Sequence, residues 1–135
     1  MRLRFVLTAL AMIGGIVFVL IGLGFFFMPD STGASFALLP NGVPGLAVMR
    51  ADMTAFFVVG GGCMIWGAWK RNGELLLVPA ALFAIAFVGR LVTAAVDGAT
   101  PQFWLPMIVE GATVVVTWMA SRHLPHEAVG EGESL

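Results

Sequence analysis

The stretch LLLVPAALFAIAFVGRLVTAAV, residues 75–96, carries a single charged residue, Arg90. A helix needs about 20 apolar residues to cross a hydrocarbon core of about 30 Å, because each residue adds 1.5 Å. The stretch is therefore predicted to form a transmembrane helix. An arginine cannot realistically lose its proton, so its place in such a helix calls for a partner or a function.

The rest of the chain has the same character. Of its 135 residues, 59% are hydrophobic and 11% are charged, whereas a soluble domain carries about 25% charged residues. The apolar residues form four blocks, predicted as spans at about 5–28, 46–69, 75–96 and 103–121. The sequence thus predicts one all-α domain over 1–121, an integral-membrane antiparallel four-helix bundle. The net charge of -1 suggests no nucleic-acid partner.

The two ends of the chain are treated differently. The first block follows Arg2 and Arg4, as the apolar core of a signal peptide would, but such cores run to only about 7–15 residues. We therefore expect a retained first span. The polar, Gly-rich tail over 122–135 is predicted to be disordered and cytoplasmic.

Basic residues predict the orientation of the spans. They precede the first span, join the second to the third and follow the fourth, as Arg2, Arg4, Lys70, Arg71 and Arg122. In a four-span bundle these places share one side, and the positive-inside rule makes that side cytoplasmic. Both termini are then inside. The longer outward loop, 29–45, contains the short apolar piece SFALLP, which we expect at the interface or over the bundle mouth.

Five charged residues lie in the predicted outer half of the membrane: Arg50, Asp52, Arg90, Asp97 and Glu110. By helical rise, Arg90 is about 10 Å and Glu110 about 12 Å from the outer end of its span. An unpaired charge is costly in hydrocarbon, so we expect Glu110 to contact Arg90 or Arg50. The second arginine would then lie near Asp52 or Asp97.

Two interpretations of this charged cluster remain open. It is either a structural clamp that fixes which helices are neighbours, or an outward-facing pocket that binds a head group or a partner. A polar stripe of Thr113, Thr117 and Ser121 continues from Glu110 along one face of span four. Those hydroxyl groups could equally bond to carbonyls of their own helix.

The sequence gives little sign of an enzyme. The spans hold no histidine pair, nucleophile motif, phosphate loop or metal-ligand spacing, and the one cysteine, Cys63, is interpreted as a packing residue. We therefore predict no metal and no cofactor.

Several of these residues also carry a resemblance. They are Arg50-Ala51, the triple glycine at 60–62, Gly89-Arg90, Asp97-Gly98, Pro101 and Glu110. At these positions the chain resembles an uncharacterised family of small bacterial four-helix membrane proteins. That family is distantly similar to the DoxX-like membrane proteins. The resemblance covers about residues 5–121 but departs after the Arg-Ala pair, where an aromatic-Gly-Gly is replaced by DMTAFF. It implies a multi-pass protein of the bacterial inner membrane, and it hints at a link to quinone chemistry.

The function favoured by the sequence is that of a small membrane-embedded binding or accessory protein. The charged cluster would hold an amphiphile, either a lipid or a quinone, or would dock a larger membrane complex or a second copy of the chain. The alternative is a small oligomeric transporter that uses Glu110.

Overall fold

The computed structural model of the protein describes residues 1–125, and this part of the chain is helical without strands. The helices are α1 Arg2–Phe27, α2 Pro29–Ser35, α3 Gly42–Val48, α4 Thr54–Lys70, α5 Leu77–Val96 and α6 Trp104–His123. A π-helical segment, Met49–Met53, joins α3 to α4, and a 3-10 turn, Pro101–Phe103, leads into α6.

Four helical stretches are long and apolar enough to cross a membrane: Arg2–Phe27, Gly42–Lys70, Leu77–Val96 and Pro101–His123. The prediction of an all-α protein with four such stretches is confirmed, and it indicates a multi-pass membrane protein. Each stretch overlaps its predicted span closely.

The last span is longer than the prediction. Helix α6 continues past Ser121 to His123. Leu124 is buried, and the Pro125 carbonyl accepts a hydrogen bond from the Gly73 N–H at 3.0 Å. The start of the predicted disordered tail is therefore packed on the turn before α5, while residues 126–135 lie outside the described part of the chain.

The predicted loop 29–45 contains two short helices. Pro29 occupies the first turn of α2, where a missing N–H is tolerated. The second predicted span begins at Gly42 rather than near residue 46, because Pro44 also falls in a first helical turn. The true turn lies between the two helices, where Ala37 and Gly42 adopt positive φ angles of 58° and 67°.

Glycines bring α1 and α4 into close contact. A Cβ placed on Gly61 would lie 2.6 Å from the Gly15 carbonyl oxygen, and a Cβ on Gly15 would lie 2.7 Å from the Gly61 carbonyl oxygen. Two turns further along α1, a Cβ on Gly22 would lie 2.7 Å from a side-chain methyl group of Val58 and 3.2 Å from its backbone nitrogen. Small residues allow such backbone contact in membrane helices, so α1 and α4 form the tightest pair in the fold.

The two ends of the bundle differ in what they contain. One buried cluster joins Leu7 of α1, Ala68 of α4, Leu76 before α5 and Ala120 of α6. We call this the terminal end, because residue 1 and Leu124 lie there. We call the opposite end, which carries α2 and the turn 97–103, the loop end.

The second helix pair is α5 with α6. These helices pack along much of their length, whereas α4 touches α5 over a shorter stretch. In that stretch Gly60 faces the side chains of Leu82 and Phe83. The bundle is thus two tight pairs that are less closely joined to each other, which leaves space between α4, α5 and α6.

We expect Gly61→Ala to destabilise the protein, because its methyl group would meet the α1 backbone. Overpacking of this kind costs about 1–3 kcal/mol. The matched control is Gly62→Ala, since a Cβ at Gly62 meets nothing within 4 Å. Thermal unfolding in detergent should show a lower midpoint for Gly61→Ala alone, and equal midpoints for the two variants would contradict the close contact.

Candidate functional site

A cavity of about 1060 Å³ lies between α4, α5 and α6 at the loop end. Its walls on these three helices are mainly apolar, and residues 34–38 cover it from the segment between α2 and α3. Part of SFALLP therefore lies over the bundle mouth, as the sequence suggested. The polar and charged side chains that line the cavity are Ser35, Asp52, Arg90, Thr100, Gln102 and Glu110.

Four phenylalanine rings close the cavity toward the terminal end. We call Phe18, Phe56, Phe57 and Phe83 the phenylalanine layer. Their ring centroids form a closed circuit, with Phe18 and Phe83 stacked at 4.5 Å and Phe56 and Phe83 edge to face at 5.1 Å. Such contacts add to the apolar burial that holds the helices together. Three of these rings, Phe56, Phe57 and Phe83, line the cavity and form its aromatic floor.

An ion pair joins α5 to α6 on the loop-end side of this floor, since Arg90 lies two helical turns beyond Phe83 on α5. The Arg90 Nε donates a hydrogen bond to Glu110 Oε1 at 2.8 Å. The Glu110 side chain is only 10% exposed and that of Arg90 is 34% exposed. The predicted contact between Arg90 and Glu110 is confirmed, since their similar depth on neighbouring helices does bring them together. A charge-assisted hydrogen bond in a low-dielectric setting is stronger than its neutral counterpart.

The pair leaves polar atoms unused. Glu110 Oε2 is buried and has no hydrogen-bond donor within residues 1–125. The two terminal amino groups of Arg90 likewise make no hydrogen bond to the described residues, since its bond to Glu110 uses Nε. A buried acceptor without a donor costs about 1–3 kcal/mol. Because Oε2 has almost no accessible surface, a molecule in the cavity reaches it only if the Glu110 side chain moves, whereas the Arg90 side chain is 34% exposed and brings free donors to the cavity wall.

The other predicted charges are not gathered into one cluster. Asp52 lines the cavity, but Arg50 and Asp97 do not. Arg50 forms no ion pair with Asp52 or Asp97 within the described chain: its Nε donates to the Phe26 carbonyl oxygen at 3.3 Å. That carbonyl belongs to the last turn of α1, where the helix dipole favours a cation. Asp97 is exposed just beyond α5 and forms no ion pair within the described chain.

The sequence did not reveal the π-helical segment that carries Arg50 and Asp52. A π turn holds one residue more than an α turn, and such turns are frequent at functional sites. Here the segment places Arg50 against α1 and Asp52 against the cavity. Two residues after Asp52, Thr54 has a buried hydroxyl group with no partner in residues 1–125. No residue in MRADM marks a π turn, so the sequence could not predict it.

The polar stripe on α6 is satisfied locally. The Thr113 hydroxyl donates to the Val109 carbonyl oxygen, and the Thr117 hydroxyl to that of Thr113, both at 2.7 Å. These bonds follow the pattern in which a threonine caps the carbonyl four residues earlier. Of the two interpretations of the threonines, own-helix bonding is the one observed. Thr113 and Thr117 do not line the large cavity.

Metal-ligating side chains are scattered over the described part of the chain. Among residues 1–125, no three His, Cys, Asp or Glu side chains are grouped closely enough to hold a metal ion. Cys63 is a free, partly buried thiol on α4.

Comparison with known proteins returns no match: no family model, curated protein or solved structure is significantly similar to this chain.

We expect Arg90→Leu to destabilise the protein by about 3 kcal/mol, because it leaves the Glu110 carboxylate buried and unpaired. The double variant Arg90→Leu/Glu110→Leu should recover most of this loss, since it removes both charges. The change in the free energy of unfolding is measured by titrating each protein, in a mild detergent, with a denaturing detergent.

Arg50→Leu is the matched control, because Arg50 contributes one hydrogen bond to a carbonyl group and no ion pair within residues 1–125. Its effect should be smaller than that of Arg90→Leu. If the double variant were no more stable than Arg90→Leu, the pairing would not account for the loss.

Proposed function

We propose that the protein is a membrane-embedded binding protein that holds one amphiphile, a lipid or a quinone, in the cavity between α4, α5 and α6. The observation that carries the proposal is the juxtaposition of an apolar cavity of about 1060 Å³ with an ion pair in which the terminal amino groups of Arg90 have no partner among residues 1–125. Apolar walls with a few convergent polar groups are the usual form of a small-molecule site.

The size and lining of the cavity suit a molecule with an apolar body. Its volume lies at the upper end of the range of about 300–1,000 Å³ that is typical of ligand sites. Five phenylalanine rings in the lining offer flat apolar surfaces to a chain or a ring: Phe36, Phe56, Phe57, Phe83 and Phe103. Arg90 and Glu110 would hold the polar part of the molecule and fix its orientation.

The membrane arrangement that supports this proposal is an antiparallel four-helix bundle with both termini in the cytoplasm of a bacterial cell. Five of the basic side chains belong to the terminal end: Arg2, Arg4, Lys70, Arg71 and Arg122. Cations on the cytoplasmic side satisfy the positive-inside rule. The loop end and the cavity would then lie in the outer leaflet of the inner membrane.

Tryptophans support the same placement. Lys70 lies 5.6 Å from the centre of the Trp66 ring, and the Arg122 guanidinium lies 4.9 Å from that of Trp118. Both pairs belong to the terminal end. A tryptophan beside a cation suits the head-group region, where an apolar ring and a charge are both accommodated.

A transporter is less well supported. The phenylalanine layer separates the cavity from the terminal end, and the α6 threonines beyond it are bonded to their own backbone. A passage would need either these rings to move apart or a second copy of the chain to supply a path. The resemblance to DoxX-like proteins fits a binding or accessory role beside a larger membrane complex, and it is what brings a quinone into consideration.

We expect a cysteine at the loop end to react from outside the cell. In a Cys63→Ala background, Leu39→Cys should be labelled by a membrane-impermeant maleimide in intact cells, because Leu39 is 84% exposed at the loop end. His123→Cys, exposed at the end of α6, should be labelled only after the membrane is permeabilised. The reverse pattern would overturn the orientation.

We expect Ala86→Trp to abolish amphiphile binding, because Ala86 lines the cavity and the larger ring would fill it. Ala81→Trp, on an exposed face of the same helix, is the matched control and should bind as the unaltered protein does. Native mass spectrometry of both variants after gentle detergent extraction measures the retained mass. A mass retained equally by the two variants would place the molecule elsewhere, and a retained protein mass would indicate a docked partner instead.

A further inference from the structure

The charged side chains that line the cavity do not balance. They are Asp52, Arg90 and Glu110, so the lining carries one net negative charge when all three are ionised. Arg90 is engaged with Glu110 through Nε. The nearby Arg50 does not line the cavity and bonds to α1 instead. The uncompensated charge is therefore that of Asp52.

The free polar atoms of the lining are of two kinds. The exposed carboxylate of Asp52 has no ion pair or hydrogen bond to the described residues, and Glu110 Oε2 also lacks a donor but is closed off by burial. These atoms accept hydrogen bonds. The terminal amino groups of Arg90 donate them, in a planar geometry that suits a phosphate. A complementary head group must therefore carry a hydrogen-bonding cation beside an anionic acceptor.

We infer that the preferred ligand is a zwitterionic amphiphile with a primary ammonium group next to a phosphate, as in a phosphoethanolamine lipid. This inference rests on the proposed function. The phosphate contacts the free amino groups of Arg90, and the ammonium group donates to the carboxylate of Asp52. This arrangement brings the charge of the lining and its ligand closer to balance than an anionic ligand would.

Other head groups satisfy fewer of these atoms. An anionic phosphoglycerol head group would contact Arg90 but add negative charge beside Asp52, and like charges repel each other. A phosphocholine head group has the same net charge as phosphoethanolamine, but its quaternary ammonium has no N–H to donate. The comparison of these three lipids therefore separates hydrogen bonding from charge.

The experiment uses the full-length protein in detergent, titrated with phosphoethanolamine, phosphocholine and phosphoglycerol lipids of identical acyl chains. Native mass spectrometry gives the bound fraction at each concentration. We expect the phosphoethanolamine lipid to bind about tenfold more tightly than the other two. Asp52→Asn should reduce that preference to about twofold. Asp30→Asn removes the same charge from α2 without touching the cavity, and should leave the preference unchanged.

The outcomes distinguish the two proposals. Equal binding of the three lipids, or a preference that Asp52→Asn does not change, would overturn the head-group inference but leave the amphiphile site intact. If the three lipids fail to bind and a polyprenyl benzoquinone binds in the same assay, the head-group inference fails and the proposed function stands. If no amphiphile binds, both fail.

Discussion

A guanidinium group within a membrane-spanning helix cannot shed its charge, so the fold must supply it with a counterion. Glu110 meets this requirement, with the Arg90 Nε 2.8 Å from its carboxylate oxygen. The contact ties α5 to α6 in the wall of the cavity, and it fixes the rotation of both helices about their axes. Removing either partner alone would leave the other charge in a medium that solvates it poorly.

The cavity follows from how the helices pair. Backbone contact through Gly15 and Gly61 holds α1 against α4, and the ion pair holds α5 against α6. Between these pairs, α1 meets α6 and α4 meets α5, each less extensively than the helices within a pair meet. The phenylalanine layer fills the gap at mid-depth, but nothing of comparable size fills it toward the loop end. Space for a ligand therefore arises where two well-packed units diverge.

The sequence predicted how deep each charged side chain lies along its helix better than it predicted how that helix is rotated about its axis. Hydropathy located the four spans, and helical rise placed Arg90 and Glu110 at matching levels, so their contact could be predicted. A helix in lipid is apolar on all sides, and its pattern does not show which face meets a neighbour. For this reason the different directions taken by Arg50 and Asp52 could not be foreseen. The π-helical segment that separates them has no recognisable residue signature.

Local signals between the first two spans were also incomplete. Turn-forming residues such as Asn41 and Pro44 predicted a loop, but proline is equally compatible with a first helical turn. The structure uses it in that second way, so that the helix leading into α4 begins at Gly42. That difference matters for the site, because the remaining short turn carries Phe36 and Leu38 into the cavity wall.

Proximity of Arg90 and Glu110 inside a bilayer is the premise on which both the fold and the binding site rest. Solid-state NMR of the protein in lipid bilayers, with ¹⁵N-labelled arginine and ¹³C-labelled glutamate, measures it directly. With the Nε···Oε1 distance at 2.8 Å, the Arg90 Nε should lie within about 4 Å of the Glu110 carboxylate carbon. A separation beyond about 8 Å, too long for a hydrogen bond or a water bridge, would contradict the account.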